Sequence, residues 1–300
     1  MKKIVTWLKK FGYCYYQATL NTIKHDGIEH SGYLSFTLLL ALFPFLIFCF
    51  ALLGLFDETI LALKLTEIIS HNLPENALLF IMPRLEEIKH GPPQSFLTIA
   101  VLSAIWVASS SVEAMRTILN RAYHVSTPPT YLKGRLLSII QFLLLTSLLL
   151  LGILLFILLP VMLEHLTPFL PFSEEIISQF GKKLNFFRYF TSYLLWLITV
   201  SLLYYLIPNL KQNWRQVLPG AILVVFLWSF TAIALSFNLN RFEQVRLLYG
   251  SSAVVIIVLL FFYLMAMIFV FGAEFNYLWE KASGFKFIEK KQGNAKKTLT

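Results

Sequence analysis

The sequence predicts an all-α fold, a polytopic integral membrane protein with six transmembrane helices and short amphipathic helices at the membrane interface. Three observations predict this fold class. First, 57% of the 300 residues are hydrophobic and only 14% are charged, whereas about 25% of the residues of soluble domains are charged. Second, six apolar stretches reach roughly the 20 residues that a helix needs to cross a hydrocarbon core of about 30 Å. Third, these stretches do not alternate between polar and apolar residues, and such a span satisfies its backbone hydrogen bonds as a helix.

Each of the six predicted spans is bounded by charges or turn residues. In chain order they are residues 34–56, 95–112, 136–163, 187–207, 217–239 and 251–273. Pro44 lies in the middle of the first span and is predicted to kink that helix, because proline cannot donate a backbone hydrogen bond. The kink is either a hinge for gating or only a feature of helix shape.

Residues 1–33 precede the first span and are predicted to be a cytoplasmic amphipathic segment. Its apolar residues recur at helical spacing among four lysines, and they are Ile4, Trp7, Leu8, Phe11 and Tyr15. This pattern is typical of a helix that lies in the headgroup plane of the inner leaflet. The alternative interpretation is a frayed, solvated terminus.

Two connections on the opposite side of the membrane are long enough to contain structure. Residues 57–94 carry apolar positions at helical spacing on both sides of Pro74, which predicts two short amphipathic helices. Residues 173–180 predict another, since Ser173 suits an N-cap and the two glutamates after it suit a first helical turn. These helices either roof a cavity between the spans or only cover helix ends.

The distribution of basic residues predicts the orientation. Seventeen of the 25 lysines and arginines fall in the N-terminal segment, the second-to-third and fourth-to-fifth connections, and the C-terminal tail. Basic residues in short loops stay on the cytoplasmic side, so both termini are predicted to be cytoplasmic. The six-helix transmembrane domain then covers residues 34–274, and a basic cytoplasmic tail covers residues 275–300. The net charge of +9 indicates attraction to anionic lipids of the inner leaflet rather than affinity for nucleic acid.

Polar residues collect at the predicted cytoplasmic ends of the spans. This inner polar layer consists of Glu113, Arg116 and Asn120 after the second span, Asn209 after the fourth, and Glu274 and Asn276 after the sixth. The first three are separated by three and four residues, which places them on one helix face. A charge in hydrocarbon costs at least about 2.5–3.5 kcal/mol, so both glutamates should face protein, water or a cation. Two interpretations are open: the layer pins helix ends together, or it lines the inner mouth of a substrate path.

A second polar layer is predicted at the outer face, around the connection between the fifth and sixth spans. Its members are Asn238, Arg241, Tyr249 and Gly250. The same two interpretations apply to it, because polar side chains at helix ends serve both purposes.

Several stretches resemble one family of bacterial inner-membrane proteins. They are "DGIEHSGYLSFTLLLALFPFLI" from Asp26, "SVEAMRTILNRAY" from Ser111, "LIPNLKQNWRQVLPGAIL" from Leu206 and "YGSSAVVIIVLLFFYLMAMIFVFGAEFN" from Tyr249. On these stretches the chain resembles the YihY/BrkB family, formerly misnamed ribonuclease BN. The resemblance implies a six-helix protein of the bacterial inner membrane with cytoplasmic termini. At the family level it implies an association with serum resistance and with export of lipids or small molecules.

Transport or export of a lipid-like or small amphipathic substrate is the function that the sequence favours. The polar layers and the kinked first span support transport, and the nearly charge-free midplane argues against ion-coupled uptake of a polar solute. The alternative is a structural or scaffolding membrane protein that transports nothing. Membrane lipids are the expected partners under both interpretations.

A ribonuclease is disfavoured, because metal-dependent nucleases need clustered carboxylates or histidines. The two aspartates, Asp26 and Asp57, are predicted on opposite sides of the membrane. The sequence contains no His-x-His or Cys-x-x-Cys pair that would predict a zinc site. We therefore expect no enzyme activity, no cofactor, no metal and no nucleic-acid partner.

Overall fold

The computed structural model of the chain describes residues 2–53, 94–127, 129–166, 193–237, 252–284 and 288–290. These residues form seven α-helices and one two-stranded ribbon. The elements are α1 (Lys2–Lys24), α2 (Gly27–Leu53), α3 (Gln94–Ala122), α4 (Tyr131–Leu166), α5 (Tyr193–Leu206), β1 (Leu210–Lys211), α6 (Trp214–Phe237), α7 (Ser252–Lys281) and β2 (Ile288–Glu289). The predicted all-α class is therefore confirmed for the described residues, apart from the four residues of the ribbon.

Helices α2 to α7 each coincide with one of the six predicted apolar stretches. Within them, the segments Tyr131–Gly152, Trp214–Phe237 and Val255–Lys281 are long and apolar enough to cross a membrane. Helix α5 is also apolar, but it is shorter in the part that the structure describes. The amphipathic helices predicted at residues 57–94 and 173–180 lie almost wholly outside the described residues.

Helix α1 forms where the apolar spacing predicts a helix, and its apolar side packs on α7. The ring of Phe11 lies 5.4 Å from that of Phe275, and Cys14 and Ala18 are fully buried beside the same phenylalanine. Lys10 Nζ lies 4.1 Å above the ring of Trp279. The sequence predicts the amphipathic helix, and the structure adds a protein surface that receives part of its apolar face.

Helices α6 and α7 approach each other closely through two glycines. A Cβ atom on Gly220 would lie 2.6 Å from the amide of Asn276, and one on Gly272 would lie 2.5 Å from Tyr204 Oη. Small residues allow such close approach between helices in membranes. The Tyr204 hydroxyl donates a hydrogen bond of 2.6 Å to the carbonyl of Phe269, so α5 is also joined to α7.

The chain divides into two compact units, Met1–Leu39 with Ser111–Thr300, and Leu40–Ser110. The second unit contains the end of α2 and the beginning of α3. Pro44 lies there, inside α2, and the helix continues through it. The side chains considered below all belong to the first unit.

A short antiparallel ribbon joins the C-terminal tail to the segment after α5. Leu210 pairs with Glu289 and Lys211 with Ile288. The Glu289 carboxylate accepts hydrogen bonds from the backbone N–H groups of Ser126 and Thr127, at 2.8 and 3.0 Å. Hydrogen bonds from Thr127 and Ser126 lower the pKa of Glu289 to about 2. The basic tail is therefore fastened to the connection after α3 by a carboxylate that stays charged.

Candidate functional site

The inner polar layer contains a network centred on Arg116 of α3. One guanidinium nitrogen, Nη1, donates to Glu113 Oε2 at 3.2 Å, to Ser138 Oγ at 2.5 Å and to the carbonyl of Gly134 at 2.5 Å. The Ser138 hydroxyl donates in turn to Glu113 Oε2 at 2.6 Å. Burial lowers the pKa of Arg116, and the Glu113 charge partly restores it. Because arginine stays protonated in proteins, a buried cation here joins α3 to the beginning of α4.

The same network extends to α5. The second guanidinium nitrogen of Arg116 donates to Gln141 Oε1, and Gln141 Nε2 donates to the carbonyl of Leu206 at 2.6 Å. Leu206 is the last residue of α5, where a backbone carbonyl has no partner within the helix. One arginine and one glutamine thus hold the ends of three helices.

The two asparagines Asn120 and Asn209 lie on the other side of this network. Asn120 Oδ1 accepts a hydrogen bond of 2.8 Å from the backbone N–H of Asn209. The Asn209 side chain donates to the carbonyl of Thr127 at 2.8 Å. Both amides therefore satisfy backbone groups in the connections that follow α3 and α5.

Asn276 of α7 is fully buried, and its side chain forms hydrogen bonds with backbone groups at the beginning of α6. Its Oδ1 accepts from the backbone N–H of Gly220 at 2.6 Å, and its Nδ2 donates to the carbonyl of Val217 at 3.1 Å. The same Nδ2 also lies 3.3 Å from the hydroxyl of Tyr123. Pro219 lies between the two backbone groups, so Asn276 stabilises the turn of α6 that contains the proline.

Glu274, two residues earlier on α7, is placed differently. One of its oxygens, Oε1, lies 2.9 Å from Nδ1 of His25 in the turn between α1 and α2. The other, Oε2, is buried and has no hydrogen-bond partner among the described residues. The His124 ring lies 4.9 Å from the His25 ring and 4.5 Å from that of Tyr277, measured between centroids. Desolvation and repulsion from His25 and Lys281 lower the pKa of His124, which favours its neutral form.

One group in the described part of the chain has the geometry of a metal site. Ligand atoms of His25, His124 and Glu274 all lie within 4.8 Å of one another. The sequence gives no local sign of this group, because His25 and Glu274 are separated by 249 positions and His124 belongs to a third segment. The expectation that no metal binds was drawn from the absence of short motifs and from the two aspartates being predicted on opposite sides of the membrane.

A cavity of about 620 Å³ lies among α2, α3, α5, α6 and α7. Among the described residues, its lining is apolar and aromatic, with Ser229 and Tyr193 as polar members and no charged residue. Each of the five helices contributes at least one lining side chain, for example Leu34, Met115, Trp196, Trp228, Phe262 and Phe269. Small-molecule sites in proteins have volumes of about 300–1,000 Å³ and mostly apolar walls. The cavity therefore has the size and chemistry to hold an apolar chain or a small amphipathic molecule.

Comparison with known proteins identifies the family. The family description "Virulence factor BrkB" matches residues 19–298. The chain belongs to the virulence factor BrkB family. Among relatives, the ribonuclease-like protein YfkH of Bacillus subtilis is 30% identical over 264 residues, which cover 86% of this chain and 91% of that protein.

Two further relatives of this BrkB-family chain are UPF0761 membrane proteins. The protein of Alteromonas mediterranea is 26% identical over 256 residues, covering 84% of this chain and 83% of that protein. The protein of Pseudoalteromonas atlantica is 26% identical over 278 residues, covering 92% and 88%. No solved structure matches the chain significantly. The resemblance found in the sequence is confirmed, and the chain is a membrane protein of the BrkB/UPF0761 family.

In this BrkB-family chain the structure places the predicted inner layer in three contact groups. Glu113 and Arg116 share the first, and Asn120 and Asn209 share the second. The third contains both residues of α7, which have separate partners: Asn276 contacts the beginning of α6, and Glu274 contacts His25 in the turn between α1 and α2. The predicted outer layer of Asn238, Arg241, Tyr249 and Gly250 lies outside the described residues. A cavity between the spans was one of two alternatives that the sequence left open, but its lining was not predicted. The proximity of His25 and His124 was not predicted either.

Proposed function

We propose that this BrkB-family protein spans the bacterial inner membrane six times, with both termini in the cytoplasm, and transports or exports a lipid-like or small amphipathic molecule. The apolar cavity of about 620 Å³ is the observation that carries the proposal. The protein is not an enzyme in this proposal, and membrane lipids are its partners.

The topology is supported by helix length and by charge. Three described segments are long and apolar enough to span, and three more helices coincide with the remaining apolar stretches. The surplus of lysine and arginine on one predicted side is what the positive-inside rule requires. A green fluorescent protein fused to the C-terminus should fluoresce, because it folds in the cytoplasm. Alkaline phosphatase inserted near position 75 should be active, because that enzyme is active only in the periplasm.

The substrate class follows from the cavity lining. Acyl chains and small amphipathic molecules gain free energy from apolar walls at roughly 25 cal/mol per Å² of buried surface. A polar ion or sugar would lose hydration there without replacement hydrogen bonds. The described lining residues include no carboxylate, lysine or histidine, and none of these residues could couple movement to protons or sodium ions.

A scaffold that transports nothing is the second candidate. The observation that favours it is the full use of Arg116, Asn120 and Asn276 in hydrogen bonds that join helix ends. Such bonds explain three of the polar residues without any substrate. They do not explain the apolar cavity. Protein interiors are close-packed, so a scaffold would need no cavity of this size among its helices.

A nuclease is not proposed, although one relative carries the name ribonuclease-like. Two-metal phosphodiester cleavage needs two metal ions about 3.5–4 Å apart, and a group of several carboxylates to hold them. The described residues around the inner polar layer bring together no such set, and Glu113 is occupied by Arg116 and Ser138. We attribute the net positive charge to attraction between the protein and anionic lipids, not to binding of nucleic acid.

Flux through the cavity tests the proposal. The full-length protein is reconstituted in liposomes that contain phosphatidylglycerol labelled on its acyl chain with a fluorophore that dithionite bleaches. Transport predicts bleaching beyond the outer leaflet's share, and Ala232→Trp should reduce its rate at least about fivefold, because Ala232 lines the cavity and indole would fill part of it.

Ala234→Trp is the matched control, because it makes the same change on the same helix two residues further on. Two residues rotate the side chain by about 200°, and Ala234 is not among the lining residues. Both variants must first elute as single species in size exclusion. Absence of flux in the wild type would favour the scaffold, and equal flux in all three proteins would remove the cavity from the path.

A further inference from the structure

We propose that His25, His124 and Glu274 form a binding site for one divalent transition-metal ion, with Zn²⁺ as the best-fitting candidate. The ligand atoms of these three residues already lie within 4.8 Å of one another. The inference is independent of the transport proposal, since a scaffold could use the same ion.

The donor set suits zinc. Two imidazole nitrogens and one carboxylate oxygen are the ligands of many zinc sites, which bind the ion at about 2.0–2.2 Å and leave a fourth position for water. Ligand atoms in a tetrahedral site are then about 3.3 Å apart. His25 Nδ1 and Glu274 Oε1 are 2.9 Å apart, so the remaining adjustment falls mainly on His124, which is exposed and sits in a turn.

The carboxyl group in this cluster has a buried oxygen without a partner among the described residues. Glu274 is 1% exposed, and its Oε2 has no hydrogen-bond partner within the described residues. The Asn21 side chain is a second hydrogen-bonding neighbour of the carboxyl group, but it is not a partner of Oε2. A buried carboxylate oxygen that accepts no hydrogen bond has lost its hydration without a replacement, which is costly. A bound cation removes that cost, and a hydrogen bond between His25 and Oε1 alone does not.

The backbone around the site is held in place before any ion binds. His25 and His124 lie in the turns after α1 and α3, and each turn contains a residue with positive φ, Asp26 at 55° and His124 itself at 54°. Arg121, in the last turn of α3, donates from Nη2 to Asp26 Oδ2 at 2.5 Å, which ties the turn after α1 to the end of α3. The two imidazoles therefore come from segments whose separation is already fixed, which lowers the entropy cost of binding.

The charges around the site allow an ion. Glu274 supplies one negative charge, and the histidines bind as neutral ligands. Lys281 is the cation that opposes binding, since it acts on His124, but it is exposed and therefore screened by solvent. An ion can reach the site from solvent, because His124 is exposed and His25 is partly exposed. Glu274 is the buried ligand.

Zinc titration of the full-length protein tests the site. Purified protein in detergent is stripped with chelator, and Zn²⁺ is added in competition with a chromogenic indicator. We expect one high-affinity Zn²⁺ per chain in the wild type. His124→Asn should weaken that affinity by at least about tenfold, since even loss of an outer partner of a metal ligand costs 10–100-fold. Asparagine is chosen because it tolerates positive φ.

Two further variants keep the test decisive. Glu274→Gln keeps the size and one acceptor of the side chain, and it should also weaken zinc binding by at least about tenfold. His30→Gln is the control, because His30 lies five residues from His25, has a buried ring nitrogen with no partner in the described part of the chain, and is not a member of the group. It should bind zinc as the wild type does.

The outcome is clear in either direction. Zinc binding that is lost with His124→Asn and kept with His30→Gln supports the site, even if Glu274→Gln does not fold. A wild type that binds no zinc, or a His124→Asn protein that binds it with unchanged affinity, overturns the proposal and leaves His25 and Glu274 as an ion pair only.

Discussion

Removing the Asn276 side chain should loosen α6 from α7. Asn276 is fully buried and makes three side-chain hydrogen bonds, to the N–H of Gly220, to the carbonyl of Val217 and to the hydroxyl of Tyr123. Asn276→Ala removes all three at once. The change leaves a small void that the adjacent Gly220, which has no side chain, cannot fill.

The magnitude follows from the number of bonds. Side-chain hydrogen bonds between helices in membranes average about 0.6 kcal/mol, and those in soluble proteins about 1 kcal/mol. Three bonds therefore contribute about 2–3 kcal/mol. Water does not replace them easily, since Asn276 is 1% exposed. Asn209→Ala is the matched control, because it makes the same chemical change at a half-buried asparagine whose side chain donates a single bond to Thr127. It should cost about 0.5–1 kcal/mol.

Unfolding in mixed micelles of mild detergent and dodecyl sulfate, followed by circular dichroism, measures both variants against the wild type. We expect Asn276→Ala to be destabilised two to four times as much as Asn209→Ala. Asn276→Asp should be destabilised at least as much, because it keeps the acceptor for Gly220 but replaces the donor with a buried charge. The reasoning is wrong if Asn276→Ala unfolds within about 0.5 kcal/mol of the wild type, since three bonds at 0.6 kcal/mol each would then be absent.

Four further outcomes are expected. Gly272→Ala should destabilise the protein by about 1–3 kcal/mol through overpacking, because the new Cβ would lie 2.5 Å from a tyrosine hydroxyl; thermal melting in detergent measures this, and an unchanged melt would mean that the helices move apart freely. Arg116→Lys should cost about 1.5–3 kcal/mol in the same unfolding assay, since lysine cannot reproduce the bonds of both guanidinium nitrogens. Glu289→Gln should remove stability at pH 7 but not at pH 2: the folded pKa of about 2 lies below the ordinary value of 4.5, so the contribution is complete above pH 4.5 and is lost as the pH falls through 2. A gap that persists at pH 2 contradicts this cause. Asp26→Asn should weaken zinc binding less than about fivefold, because an exposed ion pair contributes about 0–1 kcal/mol; a tenfold loss would make Asp26 part of the site.

The helices were predictable because hydrocarbon imposes one rule on them. An apolar run of sufficient length must be helical, and α2, α4 and α6 begin within a few residues of where charges or turn residues stop. The ends were less predictable. The predicted second span stops at residue 112, where charges begin, but α3 continues to Ala122, because charged residues end an apolar run without ending a helix. The same holds for α7, which continues to Lys281.

Local spacing also limited what could be predicted of the site. Glu113 and Arg116 lie three residues apart on one helix, so their contact was visible in the sequence. The ribbon between β1 and β2 was not, since two residues per strand leave no alternating pattern. His25 and His124 each appeared as isolated histidines in separate connections. Their proximity depends on how α1 packs on α7, which no pattern within a single segment encodes.

The contrast between Asn276 and Glu274 explains why one residue of α7 is assigned to structure and the other to a ligand. Two positions apart, they point in directions that differ by about 200°. Asn276 is neutral, and its amide meets the beginning of α6 with both a donor and an acceptor satisfied. If the residue at position 274 only held the α1–α2 turn against α7, an amide side chain could do the same. Burying an amide costs far less desolvation free energy than burying a carboxylate. Glu274 instead buries a carboxyl group. Its Oε1 lies 2.9 Å from His25 Nδ1, but its Oε2 has no hydrogen-bond partner among the described residues. A divalent cation beside the two imidazoles would give that oxygen a partner.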